Sequence, residues 1–234
     1  MNQRLPRLMA LTFCVSLPAL TLADVDKVYS PRIHAGDWEL ETRGTYLDDG
    51  DQAEDGRWLE KFSLGHAFSD RFALEAYLKT EKPPGESLEL EAYELEARFN
   101  LFQNPDRALA LLGEVEKERE DDVWEYKLGP LYEQRLPSNL RLRLNAFAEK
   151  QDGADAEESD IEYSGAAQLA WLADDELAPA LEYYGESGNH GAGPVLLGEF
   201  ELGGHELEWE AGAIFGLSGG ADEVVYRWSL ETEF

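Results

Sequence analysis

Hydrophobic and polar residues alternate one by one along most of this chain. Around residue 145, one set of alternate positions reads Leu140, Leu142, Leu144, Ala146 and Ala148, and the other reads Arg141, Arg143, Asn145, Phe147 and Glu149. A period of two residues predicts β-strands with one apolar face and one polar face. Residues 161–171 and 206–215 repeat the pattern, so the chain is predicted to be all-β.

Twelve strands are predicted between turn signals, with no linker that would divide the chain. Their ranges are 36–46, 57–68, 72–80, 87–101, 107–117, 123–132, 140–149, 160–172, 177–186, 194–202, 206–216 and 223–234. About ten residues per strand suits an oblique crossing of a membrane. Glu60 falls on the apolar face of the second strand, and a β-bulge near Ala92 would explain a change of phase in the fourth.

The connections between the predicted strands alternate in length. Those after even-numbered strands are short, such as Ser69–Arg71 and Gly203–His205, whereas Leu47–Gly56, Gln151–Ser159 and Ser187–Gly193 are longer or more acidic. This alternation is typical of a bacterial barrel with short periplasmic turns and long outer loops. A soluble, acidic all-β periplasmic protein is the alternative, but aromatic residues near the strand ends favour a single antiparallel transmembrane β-barrel.

The first residues have the pattern of a secretory signal. Arg4 and Arg7 precede an apolar stretch from Leu8 to Leu20, and small residues end at Ala23. We expect residues 1–23 to be removed and residues 24–234 to form the barrel in the outer membrane of a Gram-negative cell. The single cysteine, Cys14, lies in the signal, so the mature chain is predicted to contain no disulfide.

The last strand carries a candidate assembly signal. Tyr226, Trp228 and Leu230 share its apolar face, and Phe234 ends the sequence. This strand resembles the terminal strand that the barrel-assembly machinery recognises in outer-membrane barrel proteins. The resemblance implies that machinery, periplasmic chaperones, outer-membrane lipid and lipopolysaccharide as partners.

Five stretches carry a wider resemblance that covers most of the mature chain. They are Val28–Pro31, Gly36–Glu41, Lys127–Pro130, Gly193–Phe200 and Glu208–Leu217. In these stretches the chain resembles a family of Gram-negative outer-membrane β-barrel proteins of the transporter and porin type. The resemblance implies a barrel fold and a transport role, because its motifs are structural and not catalytic.

Charge narrows the functional classes. The formal net charge is −29 at pH 7, which excludes nucleic acid as a partner because its phosphates would be repelled. The predicted inward face of the barrel is rich in charged residues, with more acids than bases. An acid-biased wall favours the passage of cations over anions.

The sequence therefore predicts a porin-like channel or passive transporter for a small, cationic solute. Its predicted pore-lining or binding residues are Glu182, Tyr184, Glu186, Arg141, Arg143, Glu75, Glu199 and Arg227. Arg141 and Arg143 are expected to face acids across the lumen. The alternative is a non-conducting structural or interaction barrel whose interior is filled by paired charges, because twelve strands lie between barrels that side chains fill and barrels that leave a channel.

Catalytic and metal-binding motifs are missing from the sequence. None of the four histidines stands in a His-x-Ser arrangement, so no enzyme is predicted, and an outer-membrane lipid hydrolase is only the third alternative. Without a His/Cys cluster, no metal site and no cofactor are predicted. The acidic stretch Asp48–Asp51 lacks a full Ca²⁺ ligand loop and is interpreted as a solvated outer loop, in a region where divalent cations shared with lipopolysaccharide could bind.

Overall fold

Twelve antiparallel strands form one closed barrel in the computed structural model, which describes residues 25–51, 54–156, 160–172, 177–186, 188–219 and 221–234. The strands are β1 (Trp38–Asp48), β2 (Trp58–Ser69), β3 (Phe72–Lys82), β4 (Glu89–Gln103), β5 (Arg107–Glu118), β6 (Trp124–Leu136), β7 (Leu140–Asp152), β8 (Glu162–Trp171), β9 (Leu177–Glu186), β10 (Asn189–Leu202), β11 (His205–Gly216) and β12 (Val224–Glu233). The prediction of an all-β barrel with twelve strands is confirmed. The predicted signal, residues 1–23, lies outside the described residues.

The barrel closes where the first strand meets the last. The Trp38 amide donates a hydrogen bond to the Phe234 carbonyl at 3.0 Å, and the Phe234 amide donates to the Trp38 carbonyl at 2.9 Å. Full closure leaves no strand edge without a partner, as a barrel in lipid requires. None of the described residues forms a helix long and apolar enough to cross a membrane.

The two ends of the barrel differ in their connections. Two residues separate β2 from β3, and two separate β10 from β11, at what we call the turn end; the opposite end is called the loop end. The predicted loop Ser187–Gly193 is wrong in most of its length: β10 begins at Asn189, so residues 189–193 belong to a strand. Within this stretch, Gly191 and Gly193 pair with Tyr184 and Glu182 of the adjacent strand β9.

Alternate side chains point to opposite sides of the wall, as the period-two pattern predicts. Outward positions carry exposed apolar residues such as Tyr163 and Trp171, whereas Arg43 and Arg227 point inward and are at most 1% exposed. The outward face of β12 includes Tyr226, Trp228 and Leu230, and Phe234 follows that strand.

The two irregular strands of the sequence pattern have local explanations. Lys79 pairs with Ala92 but Thr80 pairs with Leu90, so Glu91 is the extra residue of a β-bulge, and the bulge predicted near Ala92 is confirmed. Glu60 lies on the outward side of β2. Its carboxylate accepts hydrogen bonds from the Thr42 hydroxyl at 2.8 Å and from the Trp58 indole at 3.0 Å.

Two glycine-proline steps interrupt the barrel wall in the same way. At Gly129-Pro130 the pairing of β6 with β7 is broken between Leu128 and Leu131, and at Gly193-Pro194 the pairing of β10 with β11 is broken before Val195. Proline has no amide hydrogen to donate to the ladder. A Cβ on either glycine would lie 1.8 Å from a carbonyl oxygen of the facing strand, so only glycine permits this approach.

The interruptions matter because of what lies opposite them. Phe147 faces the first step and Ile214 the second, and both side chains are buried on the inward face. Phe147 packs with Tyr29, and Ile214 belongs to a cluster with Val28. The wall is therefore distorted at two points where it contacts the chain segment that precedes β1.

We predict that Gly193→Ala destabilises the barrel by about 1–3 kcal/mol, because the new methyl group must displace the β11 backbone. Gly113→Ala is the matched control, since its Cβ would meet nothing closer than 3.7 Å. The measurement is the urea midpoint at which the refolded barrel loses its heat-modifiable mobility on a gel. Equal midpoints for the two variants would contradict the tight approach.

Candidate functional site in the barrel lumen

The interior of the barrel contains a stretch of chain that precedes the first strand. Residues 25–35, called here the luminal segment, run lengthwise through the lumen. Val28 packs with Tyr184 towards the loop end, and Ile33 packs with Ala67 and Ala73 at the turn end. Val28 is fully buried, and Ile33 is 3% exposed.

Three amide side chains of the wall hold the backbone of the luminal segment. Asn145 accepts from the Tyr29 amide at 2.7 Å and donates to the Tyr29 carbonyl at 3.1 Å. Gln103 makes the same pair of bonds with Ile33, at 3.2 and 2.8 Å, and Asn100 donates to the Pro31 carbonyl at 2.8 Å. Because the backbone groups of the strands are used in the barrel ladder, side-chain amides satisfy this buried segment instead.

A row of glutamates crosses four strands on the inward face near the turn end. Glu199 of β10 is the register partner of Glu208 of β11, Glu208 is the partner of Glu231 of β12, and Glu231 is the partner of Glu41 of β1. We call these four residues the acidic row. Like charges directly opposite each other in a sheet repel, so this arrangement requires a positive partner.

Lys27 of the luminal segment provides that partner. Its Nζ lies 2.9 Å from a carboxylate oxygen of Glu41, 2.9 Å from one of Glu231 and 3.9 Å from one of Glu39. The acidic row thus binds a primary ammonium group.

Two further charged residues fix the luminal segment through ion pairs with the wall. Asp26 lies between the wall bases Arg43, at 2.7 Å, and Lys61, at 3.2 Å. Arg32 Nε lies 2.5 Å from Glu133, which also accepts from Arg143 Nε at 2.9 Å. The segment therefore contributes charges of both signs to the lumen.

Three residues predicted to line the pore, Glu182, Tyr184 and Arg227, lie together in a closed cluster. Arg227 donates two hydrogen bonds to Glu182, both 2.8 Å, and also contacts Glu210. The Tyr184 hydroxyl and the Gln168 amide donate to the same Glu182 carboxylate at 2.8 and 2.7 Å. Glu182 is fully buried, so its charge is neutralised within the wall and does not face open solution.

The remaining predicted site residues also point inward, in different surroundings. Arg143 pairs with Glu133 on the adjacent strand, and Arg141 donates to Gln168 at 3.1 Å. Glu75 accepts from Ser63 at 2.5 Å and from Arg98 at 3.3 Å. Glu186 stands opposite Ser164 near the loop end, and Glu199 belongs to the acidic row.

Sequence reasoning missed the luminal segment and Lys27. Val28 and Tyr29 gave the available signal, because two apolar residues directly before the first strand need a place to be buried. The inward positions of Lys61, Glu114 and Glu133 were also not identified, although the strand parity would have assigned them.

Solved structures with the same fold are outer-membrane porins and channels. The KdgM porin in complex with disordered oligogalacturonate is 12% identical, with a TM-score of 0.61 over 84% of this chain and 99% of that chain. The COG4313 outer membrane channel from Pseudomonas putida F1 is 14% identical, with a TM-score of 0.62 over 86% and 97%. The NanC porin is 9% identical, with a TM-score of 0.54 over 83% and 98%.

No protein-family model matches the sequence, and no curated protein sequence matches it. At these low identities the structural likenesses show the fold. The fold is that of outer-membrane porins, and the chemistry of the lumen has to be read from the residues of this chain.

We predict that Asn145→Ala loosens the luminal segment. The variant leaves the buried amide and carbonyl of Tyr29 without partners, at about 1–3 kcal/mol for each group. A Ser30→Cys reporter in the mature chain should then react with a thiol reagent about tenfold faster or more. Gln151→Ala is the control, because among the described residues the Gln151 side chain bonds to Glu125 on the neighbouring strand and to no residue of the luminal segment. Unchanged labelling in Asn145→Ala would contradict this docking.

Proposed function

We propose that this protein is an outer-membrane channel that passes small cations, and that its luminal segment narrows the path and occupies a cation-binding position. The observation that carries the proposal is the ammonium group of Lys27, held by Glu41 and Glu231 at 2.9 Å each. A side-chain ammonium in an acidic row shares its charge and hydrogen-bonding groups with a small organic cation. The acidic row is therefore the proposed selectivity element.

The charge of the wall supports a cationic solute. The fold neighbour KdgM is named in complex with oligogalacturonate, a sugar chain that carries one carboxylate per unit. Four glutamates in register across β10, β11, β12 and β1 would repel such a polyanion and attract a cation. This chain is thus proposed to share the barrel and to differ in the sign of its solute.

A second function is favoured by a different observation. Three wall amides and the charges of Asp26 and Lys27 fix the luminal segment along the lumen. A segment bound this thoroughly could close the barrel, which would then serve as a structural or interaction protein with acidic loops. The two functions differ in whether ions pass while the segment is present.

We predict that Glu199→Gln/Glu208→Gln lowers the cation preference of the channel, because it removes two charges from the acidic row. The measurement is the reversal potential of the refolded mature chain in a planar bilayer under a salt gradient. Glu86→Gln/Glu120→Gln is the matched control, since both residues are exposed in loops at the loop end. An equal shift in both double variants would mean that overall surface charge, and not the row, sets selectivity.

We further predict that removing residues 25–35 increases single-channel conductance several-fold, because the segment occupies the lumen along its length.

Lys27→Gln should leave the segment in place and make the channel more cation-preferring, with Lys82→Gln as the control at an exposed position. A wild-type barrel that conducts no ions, while the deletion variant conducts, would support the closed barrel. No conductance in either would overturn the channel proposal.

A further inference from the structure

Three glutamates meet on the inward face away from the acidic row. Glu94 and Glu96 lie on β4, and Glu114 lies on β5 as the register partner of Glu96. One carboxylate oxygen of each lies within 4.8 Å of the other two. All three residues are at most 3% exposed.

The second observation is that this cluster contains carboxylate oxygens that accept no hydrogen bond. Glu96 is 1% exposed and forms an ion pair with Arg98 Nε at 3.2 Å, but neither of its oxygens accepts a hydrogen bond from the described residues. Glu94 Oε1 is also buried and accepts no hydrogen bond from the described residues, whereas Glu94 Oε2 accepts one from Lys61 Nζ at 2.9 Å. Buried acceptors without donors are costly, so these oxygens have the capacity to bind a positive ligand.

The described ion pairs around the cluster contain fewer bases than acids. Among the described ion pairs, the bases Lys27, Arg43, Lys61, Arg98 and Lys127 contact the nine acids Asp26, Glu39, Glu41, Glu75, Glu94, Glu96, Glu114, Glu149 and Glu231. Each base in this network is shared by at least two carboxylates. A buried excess of negative charge is unfavourable unless protons or a bound cation neutralise it.

We propose that Glu94, Glu96 and Glu114 bind a divalent cation of the Ca²⁺ type within the barrel wall. Ca²⁺ takes oxygen ligands at about 2.3–2.6 Å, so two of its ligand oxygens lie up to about 5 Å apart, and carboxylates in flexible geometry suit it. Mg²⁺ binds at about 2.1 Å and would need the three oxygens to move closer together and keep an octahedral shell. None of the three proposed ligands belongs to the acidic row or contacts Lys27, so a test of this site does not depend on the proposed cation selectivity.

Calorimetric titration of the refolded mature barrel with CaCl₂, after treatment with a chelator, tests the site without any need for conduction. Wild type should bind one Ca²⁺ and melt at a higher temperature in its presence. Glu96→Gln and Glu114→Gln should each weaken binding about tenfold or more, because each removes a charged ligand. The control is Glu116→Gln, a buried inward acid two residues along β5 that pairs with Lys79.

The outcomes separate the site from its alternatives. If millimolar CaCl₂ gives no binding heat and leaves the melting temperature unchanged, the proposed Ca²⁺ site is wrong. Bound protons would then neutralise the excess carboxylates. Equal weakening in Glu116→Gln and Glu96→Gln would also overturn the site, because diffuse attraction by the acidic wall would then explain the binding. Should Glu96→Gln fail to fold, Glu114→Gln and the wild-type melting shift carry the same decision.

Discussion

The neutralisation of buried charge is the constraint on which this structure depends. A closed barrel turns one face of every strand into a common interior, and here that interior is filled with carboxylates and guanidinium groups. Charges without partners in such an interior cost several kcal/mol each, so each must find a counter-charge nearby. The bidentate pair of Arg227 with Glu182 and the contacts of Lys27 with the acidic row are two solutions to the same problem.

The luminal segment completes this balance and explains several features of the wall. The side-chain amides of Asn145, Gln103 and Asn100 form hydrogen bonds with its backbone. Each side therefore satisfies buried polar groups of the other. Its apolar residues meet Phe147 and Ile214, which lie opposite the two glycine-proline steps. The irregularities of β6 and β10 are thus best understood together with the segment that they accommodate.

The sequence predicted the barrel well because strand alternation is a local property that the barrel preserves. The twelve strands and the bulge beside Ala92 follow from the order of residues alone, and so does the inward direction of Glu182, Arg227 and Glu199. Partners across the lumen do not follow, because they depend on shear and on side chains from distant strands. Lys27 belongs to no strand, so parity could not assign it. The cluster of Glu94, Glu96 and Glu114 could not be predicted either, because these residues come together only when β4 and β5 are aligned in register.

The position of Lys27 in the chain has a thermodynamic consequence. It lies eleven residues before Trp38, the first residue of β1, so its ammonium is covalently tethered to the row that it occupies. A tether of this length maintains an effective local concentration on the order of millimolar. A free cation must compete with that concentration, and with the docking energy of the whole segment, before it can occupy the acidic row. At low concentration a singly charged cation would therefore not displace Lys27 from the acidic row, whereas an abundant or multiply charged cation could displace it.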